Sequence, residues 1–442
     1  MKLSGWGRHP VLESQVHSPR GEAALRELVL RETSVIARGN GRAYGDSAIN
    51  RMATLQTKHL NHLLAFDPMA GQVVAESGVL LRDLIETLLP QGWFPLVTPG
   101  TKYVSLGGAI AADVHGKNHH RDGSFRSCVD WIDVMGADGT ITRCSRDENA
   151  ALFDNTLGGM GLTGIILRAA LRLRPVESGW IKQTTLTAPN LKAAMNAFEA
   201  SQAATYSVAW IDCVAQGNNL GRSMVMLGEH AALSDLPTTK RDMPFETKVR
   251  PKRVVPFDFP AFALNRYTVR VFNALYYSAG RRKTTEQLVD WDSYFYPLDA
   301  ILDWNRIYGR KGFAQFQCVL PLAQSEQGLA TLLQAIAEAG SASFLAVLKR
   351  FGEQHSAFSF PMEGYTLALD FPVNPKTLTL LDRLDQITLD HGGRFYLAKD
   401  SRMSAETLRA SDDLRVSAFK AARRSQGAEA QFQSAQAERL AL

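Results

Sequence analysis

Between residues 98 and 124 the chain reads TPGTKYVSLGGAIAADVHGKNHHRDGS. Gly100, Gly107, Gly108, Gly116 and Gly123 surround the small residues Ala109, Ala111 and Ala112, and among them stand Asp113, His115, Lys117, Asn118, His119 and His120. Bare backbone is chosen where a chain turns sharply or lies against something flat or charged. A structural core has little use for so many glycines beside so many polar side chains. A large planar cofactor that carries phosphates accounts for both. His119 and His120 also suggest a metal, but no third ligand is in view, so no metal site is expected.

A second glycine cluster, RGNGRAYGD at residues 38–46, follows the short apolar run 34–37. A strand that enters such a turn presents peptide N–H groups to an anion, which suits a pyrophosphate. The turn lacks the Gly-Lys-Ser/Thr ending of a Walker loop, and no G-x-G-x-x-G opens a helix here. An ordinary glycine-rich turn remains the alternative. A third cluster, GGMGLTG, occupies residues 158–164. The concentration of all three in the first 165 residues places the cofactor in the N-terminal part.

The frame around these residues is that of a globular chain with more than one domain. It has 442 residues, 45% apolar and 21% charged, with a net charge of +5. That charge permits an acidic ligand or a membrane surface without implying nucleic acid. The four cysteines, Cys128, Cys144, Cys213 and Cys318, are scattered, which argues against a disulfide framework and structural zinc and suits a reducing compartment. The start MKLSGWGRHP has no basic head followed by an apolar run, so no ordinary signal peptide is expected. No apolar stretch is long enough to span a bilayer.

Periodicity predicts helices over 21–31, 81–89 and 149–155 and strands over 72–79 and 165–173. It also predicts a hairpin of 129–135 with 140–143 around Ala137-Asp138-Gly139. After Pro175 the texture changes. Asn190 is placed to cap a helix whose inner face is Leu191, Ala194, Met195 and Phe198. Strands are expected over 206–213, 224–228, 313–321, 343–352 and 364–373, with helices over 324–338 and 375–391. This is an α+β pattern, an antiparallel sheet with covering helices. A helix over 405–424 and a polar tail close the chain.

Residues 233–283 stand apart as a long mobile loop. It carries Lys240, Arg241, Lys248, Arg250, Lys252, Arg253, Arg266, Arg270, Arg281, Arg282 and Lys283, interleaved with Phe257, Phe259, Phe262, Tyr267, Phe272, Tyr276 and Tyr277. Basic charge with exposed aromatics suits a membrane interface or a phosphate-bearing lipid. The alternative is that the aromatics pack inward and the charges are solvated.

The turn at 38–46, Pro99-Gly100-Thr101, the run 107–120, the cluster at 159–164 and YLAKDSR at 396–402 occur in this order at suitable separations. Together they resemble the vanillyl-alcohol-oxidase-type FAD flavoproteins. Gly5-Trp6-Gly7-Arg8, HGKNHH at 115–120, WNRIYG at 304–309 and AKDSR at 398–402 narrow the resemblance to the decaprenylphosphoryl-β-D-ribose 2-oxidase subfamily, the flavin half of a 2-epimerase. The resemblance runs from about residue 3 to at least residue 402.

The resemblance implies an FAD-binding domain made of residues 1–178 and the returning segment 394–442, with a substrate domain of 179–393 inserted between them. It implies that Ala37, Arg38, Gly39, Asn40, Gly41, Arg42, Ala43, Tyr44, Gly45, Asp46 and Ser47 wrap the pyrophosphate. Gly100, Ser105, Leu106, Gly107, Gly108, Ala112, Asp113, Val114 and His115 would line the flavin, with Ile166 near it and Tyr396 reaching it from the other side. Arg42-Ala43 stand where many relatives carry a flavin-linked histidine, which implies non-covalent FAD.

The implied reaction oxidises a sugar secondary hydroxyl to a ketone on a polyprenyl-phosphoryl pentose, with an NAD-dependent reductase as partner in cell-wall polysaccharide synthesis. Such chemistry needs a base or cation at the oxygen and close positioning of the sugar. Lys399, His115, Tyr44 and Lys117 are the implied catalytic residues. Tyr308, Gln317, Lys349 and Trp210 are the implied substrate contacts. Thr366 and Ala368 replace the pocket-facing Asn and Cys of relatives, giving a smaller and less polar pocket. The expected location is cytoplasmic or at the inner membrane face. A soluble carbohydrate or alditol oxidase that uses oxygen, and a flavin-binding partner protein without catalysis, are the alternatives.

Overall fold

The computed structural model describes residues 1–247, 251–260, 266–281, 286–341, 343 and 345–442, and the side chain of residue 266 is outside that description. Lys248, Arg250, Phe262, Arg282 and Lys283 of the basic segment therefore lie outside the described residues.

Two larger sheets, beside the short pair Lys2–Ser4 with Val11–Glu13, build the N-terminal part. In the first, Gln15–His17, Ala53–Gln56 and Val35–Arg38 run parallel, with Ala53–Gln56 in the centre. Helix Glu22–Arg31 covers it through Leu25 and Val29. In the second, the long strand Ile165–Pro175 is the hub. It pairs antiparallel with Val129–Met135, Gln72–Glu76 and Trp93–Pro95. Its near-continuous run of buried residues reflects cover on both faces. Ile141–Ser145 forms the expected hairpin with Val129–Met135. Residues 77–79 leave the sheet; the Ser77 carbonyl instead accepts the N–H of Gly107, which ties the glycine run to this layer.

The middle of the chain forms an eight-stranded antiparallel sheet. Its order is Gln287–Asp290, Trp180–Ala188, Ser223–His230, Tyr206–Ile211, Ala346–Phe351, Gly364–Pro372, Phe313–Pro321 and Arg394–Phe395. Helices Leu191–Ala200, Leu322–Ala339 and Pro375–Asp390 bury their apolar stripes on one face. Asn190 caps the first of them by accepting from the Ala193 N–H at 2.9 Å.

Strand alternation decides what the other face carries. Ala209, Ile211, Phe316, Cys318, Leu348, Leu367 and Leu369 point into the helix-side core. Val208, Trp210, Gln315, Gln317, Val347, Lys349 and Ala368 point the other way and line a cavity.

Two segments differ from their sequence reading. Residues 266–281 form a helix, Arg266–Arg281, rather than a loop. Val269, Asn273 and Tyr277, four residues apart, are its buried stripe. Asn273 donates to Asp212 Oδ1 at 2.7 Å, and Tyr277 donates to the Ala188 carbonyl at 3.2 Å. The C-terminus is not a solvated polar tail. Beyond helix Ala405–Ser425 it forms the short helices Ala428–Gln431 and Ala435–Leu440, with Phe432 and Leu440 fully buried. Phe432 bridges to Val35 at the strand that feeds the glycine turn.

Candidate active site

The turn after Val35–Arg38 is gripped by both ends of the chain. Trp6 and Gly7 donate their N–H groups to the carbonyls of Ala43 and Tyr44, and Tyr44 donates its N–H to the Ala398 carbonyl at 2.9 Å. A Cβ on Gly45 would lie 2.1 Å from the Asp400 carbonyl oxygen, and one on Gly5 would lie 2.2 Å from the Gly45 oxygen. Side chains at these positions would drive the three segments apart. Among the described residues the peptide N–H groups of Gly39, Asn40, Gly41, Arg42 and Ala43 donate to no group of the chain. Gly39, Asn40, Gly41, Arg42, Ala43, Tyr44 and Ser47 line the cavity, whereas Arg38, Gly45 and Asp46 lie behind it.

The run 98–116 forms a second wall. Ser105 caps the short helix Leu106–Ala111, and a Cβ on Gly39 would come within 1.9 Å of its Oγ. A Cβ on Gly107 would meet the Ser77 side chain at 2.8 Å, while Gly100 has nothing within 4 Å. Gly100, Ser105, Gly107, Gly108, Ala112, Val114, Ile166 and Tyr396 all line the cavity. Its volume is 460 Å³. Free turn amides, close-packed glycines and this cavity between them fit a flat cofactor with a diphosphate.

Asp113 and Leu106 do not line the cavity. Asp113 accepts hydrogen bonds from Ser124 Oγ and the Arg126 N–H, each at 2.8 Å, from Gln354 Nε2 at 3.1 Å, and from Ser359 Oγ. It ties the glycine run to the middle sheet. Burial raises its carboxyl against the pull of Ser359 and Arg126.

At the polar end, Lys399 Nζ stands 3.5 Å from the centre of the Tyr44 ring. The Tyr44–Ala398 backbone bond sets that approach. Burial lowers the Lys399 ammonium far below an ordinary lysine; buried Asp370 opposes the shift and Lys349 adds to it. Asp370 accepts from Gln315 Nε2, its Oδ2 has no partner, and burial raises its carboxyl. Burial, followed by the Asp370 charge, keeps the Tyr44 phenol protonated.

His115 Nε2 accepts from Gln317 Nε2 at 3.1 Å, an orientation set by Gln317 also donating to Thr366 Oγ1 at 3.2 Å. The ring proton then sits on Nδ1, a buried atom with no partner. Burial, helped by Lys349, His119 and Lys399, holds this imidazole neutral. Burial lowers Lys349 to about 8; it also lowers Lys117 to about 7, with Lys349 adding to that shift.

Thr366 sits behind Gln317 and donates to the Cys318 carbonyl at 2.8 Å. Tyr308 stacks on Phe313 with ring centres 4.5 Å apart, and neither Thr366 nor Tyr308 lines the cavity. His119 faces Gln354 at 3.0 Å and His120 the Ala204 carbonyl at 2.8 Å.

Asp370 and Gln315 were missed by the sequence reading. They are cross-strand partners two residues along from Ala368 and Gln317, so the alternation that exposes one pair to the cavity side also exposes the other.

Residues 19–145 match the family described as FAD binding domain. Across its whole length the chain is 35% identical to decaprenylphosphoryl-β-D-ribose oxidase of Mycolicibacterium smegmatis and covers 97% of that protein. An uncharacterised protein of Streptomyces coelicolor is 34% identical over 75% of this chain and 91% of its own. L-gulonolactone oxidase of Mus musculus is 29% identical over 31% of each chain.

Proposed function

The chain belongs to the decaprenylphosphoryl-β-D-ribose oxidase family of FAD-dependent oxidoreductases, and from that premise we propose that it oxidises the 2-hydroxyl of a polyprenyl-phosphoryl pentose to a ketone. This is the first half of a 2-epimerisation in cell-wall polysaccharide synthesis, and an NAD-dependent reductase partner completes it. Bound FAD supplies the acceptor for the hydride that leaves the sugar carbon. Residues 1–178 and 394–442 are the two parts of the FAD-binding domain, and 179–393 is the substrate domain.

The observation that carries the reading is Lys399, held over the Tyr44 ring beside buried Asp370 in the same cavity as the glycine turn. The lowered ammonium makes the neutral amine available to take the hydroxyl proton. The cation that results is favoured by the Tyr44 ring face and the Asp370 carboxylate. His115 is neutral and offers Nδ1–H to the sugar, with Gln317 fixing its ring. Trp210, Lys349, Lys117 and Ala368 wall the sugar; Tyr308 and Thr366 support that wall from behind. After turnover, borodeuteride should trap deuterium at C2 of the pentose. Deuterium at another carbon would refute the assigned position.

FAD is held without a covalent bond. The four cysteines are buried and none lines the cavity. Acid precipitation is expected to leave a yellow supernatant and a colourless pellet; a yellow pellet would contradict this.

Helix Arg266–Arg281 is the membrane-facing element of the reading. Among the described residues, no helix is long and apolar enough to cross a membrane. Val271, Leu275, Arg270 and Arg281 are exposed on the helix, and Arg253, Val254 and Phe257 are exposed on the segment that precedes it in sequence. Tyr276 of the same helix lines the cavity, so a lipid carrier entering the site would pass this face. Co-sedimentation with vesicles rich in acidic phospholipid is expected, weakened roughly tenfold by Leu275→Asp. Equal binding by the variant would remove the contact.

A further inference from the structure

Lys117, Lys349 and Lys399 line one cavity. Lys399 has Asp370 as its counter-charge. Among the described residues the other two have none. Lys117 Nζ donates to the Tyr294 carbonyl and lies 4.1 Å from the centre of that residue's ring. Lys349 makes no hydrogen bond or ion pair among the described residues. Among the described residues the titratable groups that feel Lys349 are Lys117, Lys399, His115 and His119, none of them an acid. The carboxylates that line the cavity, Asp299 and Asp303, lie instead by Arg42.

Two cations facing the same cavity without a counter-charge are costly unless an anion joins them. Lys349 pairs across the sheet with Thr366, two residues along from the Val347–Ala368 pair, and so faces the space that Gln317 and His115 also face. The anion therefore sits next to the oxygen that Lys399 serves, and away from the turn amides at 39–43.

We propose that Lys117 and Lys349 form the receptor for the phosphoryl group that links the sugar to its lipid, so that the enzyme selects phosphorylated over neutral pentosides. The assignment rests on the substrate class given under the proposed function. Phosphoryl oxygens would supply acceptors for both ammonium groups and restore the charge that burial withdraws from them. The lipid side leaves toward Trp210 and Tyr276, whose rings lie 4.8 Å apart on the cavity wall.

The test titrates FAD-loaded protein with farnesyl phosphate and with farnesol, reading the perturbation of the flavin spectrum. The wild type should bind the phosphate roughly ten- to a hundredfold more tightly than the alcohol. Lys349→Gln and Lys117→Gln should each reduce that ratio by about tenfold, while Lys349→Arg keeps it. The flavin spectrum of each variant reports that it is folded and loaded. A wild-type ratio near one, or an unchanged ratio in both Gln variants, overturns the proposal. Should the ratio behave as expected while a polyprenyl-phosphoryl pentose fails to bleach the flavin, the phosphoryl site stands and the sugar reading falls.

Discussion

Lys399→Ala keeps FAD bound and lowers flavin reduction by the sugar roughly 10³-fold. The backbone bonds of this segment survive the change, because the Lys399 N–H still donates to Tyr396 and the Ala398 carbonyl still accepts from Tyr44. The cofactor wall is therefore intact. Asp370 loses its cation, and without that charge burial favours its protonated form, so the fold accommodates the loss. What disappears, on the proposed mechanism, is the acceptor for the hydroxyl proton. The pH profile carries the same signature. The proton acceptor must be unprotonated, so wild-type turnover falls as pH drops through the Lys399 value, which burial brings well below the ordinary 10.5. Lys399→Ala should lose that limb. Normal reduction by the variant in single-turnover kinetics would remove Lys399 from the mechanism.

Arg439→Ala destabilises the protein by about 3 kcal/mol and costs it FAD. The guanidinium, 24% exposed, joins Asp46 at 2.7 Å and Asp400 at 2.9 Å, both nearly buried, and donates to the Met403 carbonyl at 2.6 Å. It therefore clamps the glycine turn to the returning segment that carries Lys399. Burial alone would raise the Asp400 carboxyl, but Arg439 and the N–H groups of Arg402 and Met403 outweigh it and hold it below its usual value. A depressed carboxyl contributes stability above its unfolded value of 3.8 and loses it as pH falls through the folded one. The gap between wild type and variant should thus be widest near neutrality and close on acidification. Urea midpoints across that pH range, with flavin content measured alongside, check both parts. An unchanged midpoint at neutral pH would contradict the clamp.

The helices and strands of the middle sheet were legible because each has a clean period and local punctuation. Asn190 as a cap and the stripe of Leu191, Ala194 and Phe198 are examples. The glycine turns were legible for the opposite reason, since no core calls for them. Which polar side chains of the run 98–124 face the cavity was not legible. His115 and Lys117 line it, while Asp113 turns away to Ser124, Gln354 and Ser359, and the last two come from far along the chain.

Asp370 looks like one polar residue in an apolar strand until the register pairs it with Gln315 on the face whose charge Lys399 feels. Helix Arg266–Arg281 was hidden because its buried stripe contains Asn273, which breaks the apolar pattern and donates to Asp212 at another strand's end. In the C-terminal stretch the anchors Phe432 and Leu440 are few and the docking is done by Gln436 and Arg439, whose partners are carbonyls and carboxylates of other segments. In each case the missing information is long-range pairing, which local composition does not carry.

The proposed substrate of this flavoenzyme is a lipid-phosphoryl sugar. Anaerobic mixing of the FAD-loaded protein with a polyprenyl-phosphoryl pentose tests it most directly. Rapid bleaching of the oxidised flavin absorbance is expected, with free pentoses and alditols leaving the spectrum unchanged. A flavin that free sugars or alditols bleach and the lipid-phosphoryl pentose does not would contradict it.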